Sequence, residues 1–98
     1  MGLVLAATLL LAGCENTKRP TVLFFSATWC GPCHSERVTN GLNNLKASGV
    51  RIVCYDVDVD SGVADRYGVK ELPHFVLIIN GQIRYSGNDV PIIRRTDD

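Results

Sequence analysis

An α/β domain, with a central mixed β-sheet of about four strands flanked by helices, is the fold class that this chain predicts. Three stretches predict it. "TVLFFSA" (residues 21–27) is rich in β-branched and aromatic residues and continuous rather than alternating in its apolar character, as found in strands covered on both faces. A segment of helical period follows, then a second β-rich segment, and a strand, helix and strand in that order form a right-handed unit with parallel strands. "HFVLIINGQIRYSG" (residues 74–87) reads as two strands around Asn80-Gly81, the strongest short signal for an antiparallel hairpin. With 98 residues, 46% of them hydrophobic, the chain suffices for one small domain with a single core.

The N-terminal stretch "MGLVLAATLLLAG" (residues 1–13) contains no charged side chain. Its apolar run, Leu3 to Ala12, is about half of the roughly 20 residues that a membrane-spanning helix needs, and it matches the length of a signal peptide's apolar region. Leu11-Ala12-Gly13-Cys14 resembles the lipobox of bacterial lipoproteins. That resemblance implies cleavage before Cys14, lipidation of Cys14, and an extracytoplasmic protein held to the membrane by its lipid anchor, which is stable once two or more acyl chains are attached. Residues 1–13 are then a lipoprotein-type signal peptide, residues 14–20 ("CENTKRP") a polar tether, and residues 21–98 the folded domain. The other reading makes residues 2–12 a first strand or helix of the fold itself.

After the tether, "TVLFFSA" is expected as the central strand. Pro32 suits the first turn of a helix, where its missing N–H is not needed. Val38, Leu42 and Leu45 fall at i, i+4 and i+7, which predicts a helix of about four turns over residues 34–48, ended by Gly49. "VRIVCYDVDVD" (residues 50–60) predicts a second strand. Asp60 or Ser61 is placed to cap a short helix through Tyr67, with Gly68 as its stop. The tail, residues 88–98, offers at most two helical turns. Ten basic residues balance ten acidic ones with no basic stripe, so charge points to no nucleic-acid partner.

The chemistry is concentrated in "TWCGPCH" (residues 28–34). Cys30 and Cys33 have the spacing of a redox couple or of half a zinc site, and His34 completes the pattern of c-type haem attachment. A structural zinc site wants four ligands, and with Cys14 assigned to the anchor only Cys54 and two scattered histidines remain. Haem wants a second axial ligand or an open pocket, and the only methionine is Met1. Asp56, Asp58 and Asp60 imitate the start of a calcium loop, but Ser61 and Tyr67 stand where such a loop needs Gly and Glu. No metal or other cofactor is therefore expected, and His34 reads as an exposed residue in the helix's first turn. For a redox couple the location is favourable. A helix start presents unpaired N–H groups and partial positive charge, which favour a thiolate at Cys30 and lower its pKa below the free value of about 8.5. Cys33, one turn on, is placed to resolve a mixed disulfide formed at Cys30.

"FSATWCGPC" together with "LPHF" (residues 72–75) resembles the thioredoxin family, over roughly residues 20–95. The resemblance implies a trimmed thioredoxin-like fold and a redox disulfide between Cys30 and Cys33. It makes Pro73 a cis-proline whose neighbouring backbone pairs with an extended substrate peptide. Trp29, Gly31, Pro32, Leu72, Pro73 and His74 are the expected substrate-binding positions. Disulfide-containing protein substrates, a membrane or soluble electron donor, and a monomeric state are implied as well. Gly31-Pro32 resembles the reducing branch of the family; an oxidase or isomerase, and a redox-inert peptide-binding module, are the other readings. Several positions depart from the family pattern. Phe24 stands where many members bury an Asp beneath the resolving cysteine, and Cys54 where a lysine often faces that Asp, so Cys54 is expected to be a small buried hydrophobe, or else a third redox thiol. His74 replaces a common Thr, and Val38 replaces a proline that kinks the helix in many relatives. The first strand and helix of a full thioredoxin are absent unless the leader supplies them.

Overall fold

The computed structural model describes residues 19–93. The apolar leader, Cys14 with most of the tether, and the last five residues lie outside the described residues, and with them the signal-peptide and lipidation expectations. Four strands, β1 (Thr21–Ser26), β2 (Arg51–Asp56), β3 (His74–Ile79) and β4 (Gln82–Gly87), form one sheet in the order β2-β1-β3-β4. β1 pairs in parallel with β2, from Thr21↔Arg51 to Ser26↔Asp56, and antiparallel with β3 on its other side. The sheet is thus mixed and four-stranded, as expected.

The continuous apolar character of β1 follows from its place. Val22 and Phe24 enter a core with Phe75, Leu77, Val38 and Leu45, whereas Leu23 and Phe25 enter a second core with Val76 and Ala64. A strand buried on both faces has no polar face to alternate with. In the β3–β4 hairpin Ile79 faces Gln82, and both residues between them have positive φ, Asn80 at 54° and Gly81 at 77°. A two-residue turn of this hand requires such a pair, and Asn-Gly adopts it at low steric cost.

The predicted helix is present but interrupted. Residues Pro32–His34 form one tight 3-10 turn, and helix α1 (Glu36–Ala47) begins only after Ser35, whose backbone is extended (φ −67°, ψ 157°). Ser35 is the N-cap: its Oγ accepts the N–H of Val38 at 3.3 Å. Val38 therefore uses a donor that the family's proline could not supply. Gly41, inside α1, admits a close neighbour, since a Cβ there would lie 2.9 Å from Val90 Cγ1. Gly49, at φ 92°, ends the helix.

β2 stops at Asp56 rather than running to Asp60. The Asp56 side chain accepts the Asp58 N–H at 2.9 Å, an Asx turn that bends the chain out of the strand. Helix α2 (Ser61–Arg66) follows with Asp60 at the N-cap position, but no side chain caps it; the Asp60 carbonyl accepts from Val63 and Ala64 instead. No helix forms in residues 88–93, where Val90 and Ile93 pack against the α1-side core.

Cys54 corrects an expectation: it is exposed, not buried. It stands level with Phe24 across the parallel pair, on the strand that is an edge of the sheet among the described residues, and the α1-side core takes in Ile52 of that strand but not Cys54.

Candidate active site

β1 delivers the loop that holds the cysteine pair. As the chain leaves Ser26, the Cys30 N–H donates to the Ala27 carbonyl at 3.1 Å, and the His34 N–H donates to that of Gly31 at 3.0 Å, closing the 3-10 turn. Cys30 and Cys33 are joined in a disulfide with their Cα atoms 5.4 Å apart. Both are buried, Cys30 at 5% and Cys33 at 2% exposure, within a ring of exposed neighbours, Thr28, Trp29, Gly31 and Pro32. The Cys33 N–H donates to Cys30 Sγ at 3.2 Å. A backbone donor aimed at this sulfur stabilises its anion relative to the thiol. The expected contribution of a long helix is corrected, because α1 starts at Glu36; the amides at the pair belong to the separate turn. His34 is exposed, as expected, with Nε2 3.2 Å from the Ala27 carbonyl.

Trp29 forms one rim. It is 68% exposed, and its indole N–H donates to Asp58 Oδ2 at 2.9 Å. Sequence reasoning missed Asp58, having weighed it only as a calcium ligand. A signal was available: parallel β1 and β2 end level at Ser26↔Asp56, so residues two or three beyond each end come together. Asp56 and Asp58 are thus both engaged within the protein, and among the described residues no group of three or more potential ligands is arranged to hold a metal.

Opposite lies the loop before β3, where the Leu72–Pro73 peptide is cis. Leu72 packs against the core that contains both cysteines. A cleft of about 260 Å³ runs between Trp29 and Leu72, floored by Val57 and Val69 with Lys70 at its edge. A second groove of about 260 Å³ has Pro32 and Pro73 in its walls, with Arg37, Asn88 and Asp89. Trp29, Gly31, Pro32, Leu72 and Pro73 are therefore gathered around the disulfide loop. His74 differs. Its side chain is buried on the Phe25 face of the sheet, opposite the core that holds the disulfide, edge-on to Phe25 at 6.0 Å, with Nε2 2.9 Å from Ser86 Oγ. Burial pushes its pKa below the ordinary histidine value. Phe24 is buried as expected and stacks on Phe75, ring centroids 5.1 Å apart, in the same core as the two cysteines.

A sheet of this order, with a Cys-x-x-Cys disulfide in the turn after its central strand and a cis-proline loop beside it, places the molecule among the thioredoxin-like α/β folds. Sequence comparison takes the next step, for the thioredoxin family model matches residues 10–91, and the chain belongs to that family. The match begins within the apolar leader and includes Cys14. A thioredoxin of Aspergillus fumigatus is 41% identical over 63 residues, covering 64% of this chain and 58% of the relative; the thioredoxin of Haemophilus influenzae is 37% identical over 71 residues, covering 69% and 64%. The chain thus spans less than two thirds of the length of either relative. Among solved structures, oxidised mitochondrial thioredoxin 3 of Saccharomyces cerevisiae superposes with a TM-score of 0.61 at 33% identity, covering 79% of this chain and 74% of that one. Fasciola hepatica thioredoxin gives 0.62 at 31% identity, covering 88% and 83%.

Proposed function

We propose that the protein is a thiol–disulfide oxidoreductase that reduces disulfides in protein substrates outside the cytoplasm. The observation that carries this reading is the Cys33 N–H directed at Cys30 Sγ, inside a turn whose other residues face solvent. In the reduced protein the Cys30 thiolate attacks one sulfur of a client disulfide; a Cys30–client bond forms, the client S–S bond breaks, and one client thiolate leaves. The Cys33 thiolate then attacks Cys30 Sγ, the Cys30–Cys33 bond closes, and the second client thiolate leaves. Two electrons pass from the dithiol to the client, and the two protons lost by Cys30 and Cys33 end on the client thiols. An external two-electron donor, a membrane or soluble dithiol, must then reopen the Cys30–Cys33 disulfide. Trp29, held by Asp58, and the Leu72–Pro73 loop supply the client's docking surface. The reducing direction is supported by the Gly31-Pro32 dipeptide, and the location by the lipobox-like Leu11-Ala12-Gly13-Cys14.

Cys33→Ala tests the reaction. The variant lacks the resolving thiol, so it accumulates mixed disulfides through Cys30, seen as reducible adducts on a non-reducing gel and identified by mass. Adduct formation no greater than in a Cys30→Ala, Cys33→Ala double variant contradicts the reading. Labelling with a radioactive fatty acid, lost in Cys14→Ala, tests the anchor.

A further inference from the structure

The ridge that carries Leu72 and Pro73 is held at its base by one side chain from the far end of the hairpin. Asn88, the first residue after β4, donates through Nδ2 to the Pro73 carbonyl at 2.9 Å and to the Glu71 carbonyl at 3.4 Å. These are the carbonyls on either side of Leu72. The β1–β3 ladder reaches only to His74, and among the described residues neither the N–H nor the carbonyl of Leu72 has a hydrogen-bond partner. The ridge also separates the two clefts: Leu72 lines the one that includes Trp29, and Pro73 lines the one that includes Pro32 and Asn88.

Backbone polar groups pair with protein or with water, so on the half-buried Leu72 peptide between two open clefts the solvent can be replaced by another backbone. An extended peptide can supply both a donor and an acceptor to such an edge, and backbone pairing of this kind provides affinity without demanding a particular sequence. The edge is useful only if it is held still beforehand, because ordering it during binding reduces affinity. One amide nitrogen with two N–H groups is suited to two carbonyls, a task that a carboxylate, which only accepts, cannot perform.

We propose that Asn88 is a positioning residue that fixes the Glu71–Pro73 ridge so that the Leu72 peptide groups meet an extended client backbone, and that it thereby sets the preference for peptide disulfides over small ones. The proposal rests on the redox reading above. A small aromatic disulfide reaches Cys30 without pairing to Leu72, whereas a peptide client uses both.

The test compares wild type, Asn88→Ala and Asn88→Asp in the reduced full chain, with two substrates: a short extended peptide bearing a disulfide, and dithionitrobenzoate. Loss of two neutral hydrogen bonds that order the ridge predicts that the peptide-to-small-disulfide ratio of kcat/KM falls about tenfold in both variants, chiefly through a higher KM for the peptide. Asn88→Asp, which keeps the shape but loses the donor, falls at least as far as Asn88→Ala. A ratio within twofold of wild type in both variants overturns the proposal, whether the individual rates hold or fall together. A wild-type protein that reduces neither substrate instead overturns the redox reading, and the proposal with it.

Discussion

Phe24→Asp places a carboxyl where many members of the family carry one, and the structure says what that would cost here. Phe24 is 8% exposed and stacked on Phe75, 5.1 Å between centroids, in the core that holds both cysteines. Removing a buried phenyl ring costs about 3–5 kcal/mol, and a carboxyl refills little of the space, so a loss of about 4 kcal/mol is expected while the carboxyl is neutral. The residue paired with it across the sheet, Cys54, provides no counter-charge. Burial raises the folded-state pKa of the new carboxyl above its unfolded value of about 3.9. The native state then keeps a proton that the unfolded chain releases, and stability falls as pH rises from about 4 towards the folded-state pKa, by about 1.4 kcal/mol per unit of difference. A two-unit difference brings the total to about 7 kcal/mol at neutral pH, comparable with the whole stability of a domain this small. Urea unfolding of the oxidised protein, followed by circular dichroism at pH 4 and pH 7 beside wild type, should find the variant weakened at pH 4 and largely unfolded at pH 7. A variant within about 1 kcal/mol of wild type at pH 7, or equally weakened at both values, would refute this reasoning.

Two further outcomes follow from the site. Burial lowers the pKa of His74, so as pH falls the unfolded chain takes up the proton first; the stability held above about pH 6.5 is lost as pH drops through that value towards the folded-state pKa. His74→Gln retains a polar partner for Ser86 and removes this dependence. Its unfolding midpoint should fall less between pH 7 and pH 5 than that of wild type, and equal falls would count against a buried neutral imidazole. Asp58→Ala releases the only tryptophan of the sequence, which is tied down by a single charge-assisted hydrogen bond at an exposed site. Lower fluorescence anisotropy of Trp29 and a two- to fivefold higher KM for peptide disulfides are expected, consistent with about 0.5–1 kcal/mol; unchanged anisotropy would show that Asp58 does not hold the indole.

Features that depend on local chemistry were legible in the sequence. The apolar run of β1, the Asn80-Gly81 turn and the glycine stops at Gly49 and Gly68 each follow from residue type and spacing, and each lies where expected. The start of α1 lies two residues beyond the expected one, at Glu36 rather than His34. The stripe of Val38, Leu42 and Leu45 defines a face but not a beginning, and Pro32 and Ser35 are both acceptable starts; the serine, with a real acceptor for Val38, starts the α-helix, while the proline starts only the 3-10 turn. Position within the sheet is a non-local property. The residues around Cys54 do not say where the core stops: on the same strand Ile52 packs against it, while Cys54, two residues on, is exposed. Asp58 was missed for the same reason, since its partner Trp29 lies 29 residues earlier and the two meet only because β1 and β2 are parallel. The cysteine pair and its proline loop, by contrast, are both marked by short motifs in the sequence itself.

The central claim is that the turn following β1 makes an anion of one sulfur inexpensive, through the Cys33 amide directed at Cys30 Sγ. Titration of the reduced protein tests it most directly, with thiolate absorbance and alkylation rate measured against pH and the alkylated residue located by peptide mapping. Cys30 is expected to ionise below the free-cysteine value of about 8.5 and to be alkylated before Cys33. Ionisation of Cys30 at or above that value, or earlier alkylation of Cys33, would contradict it.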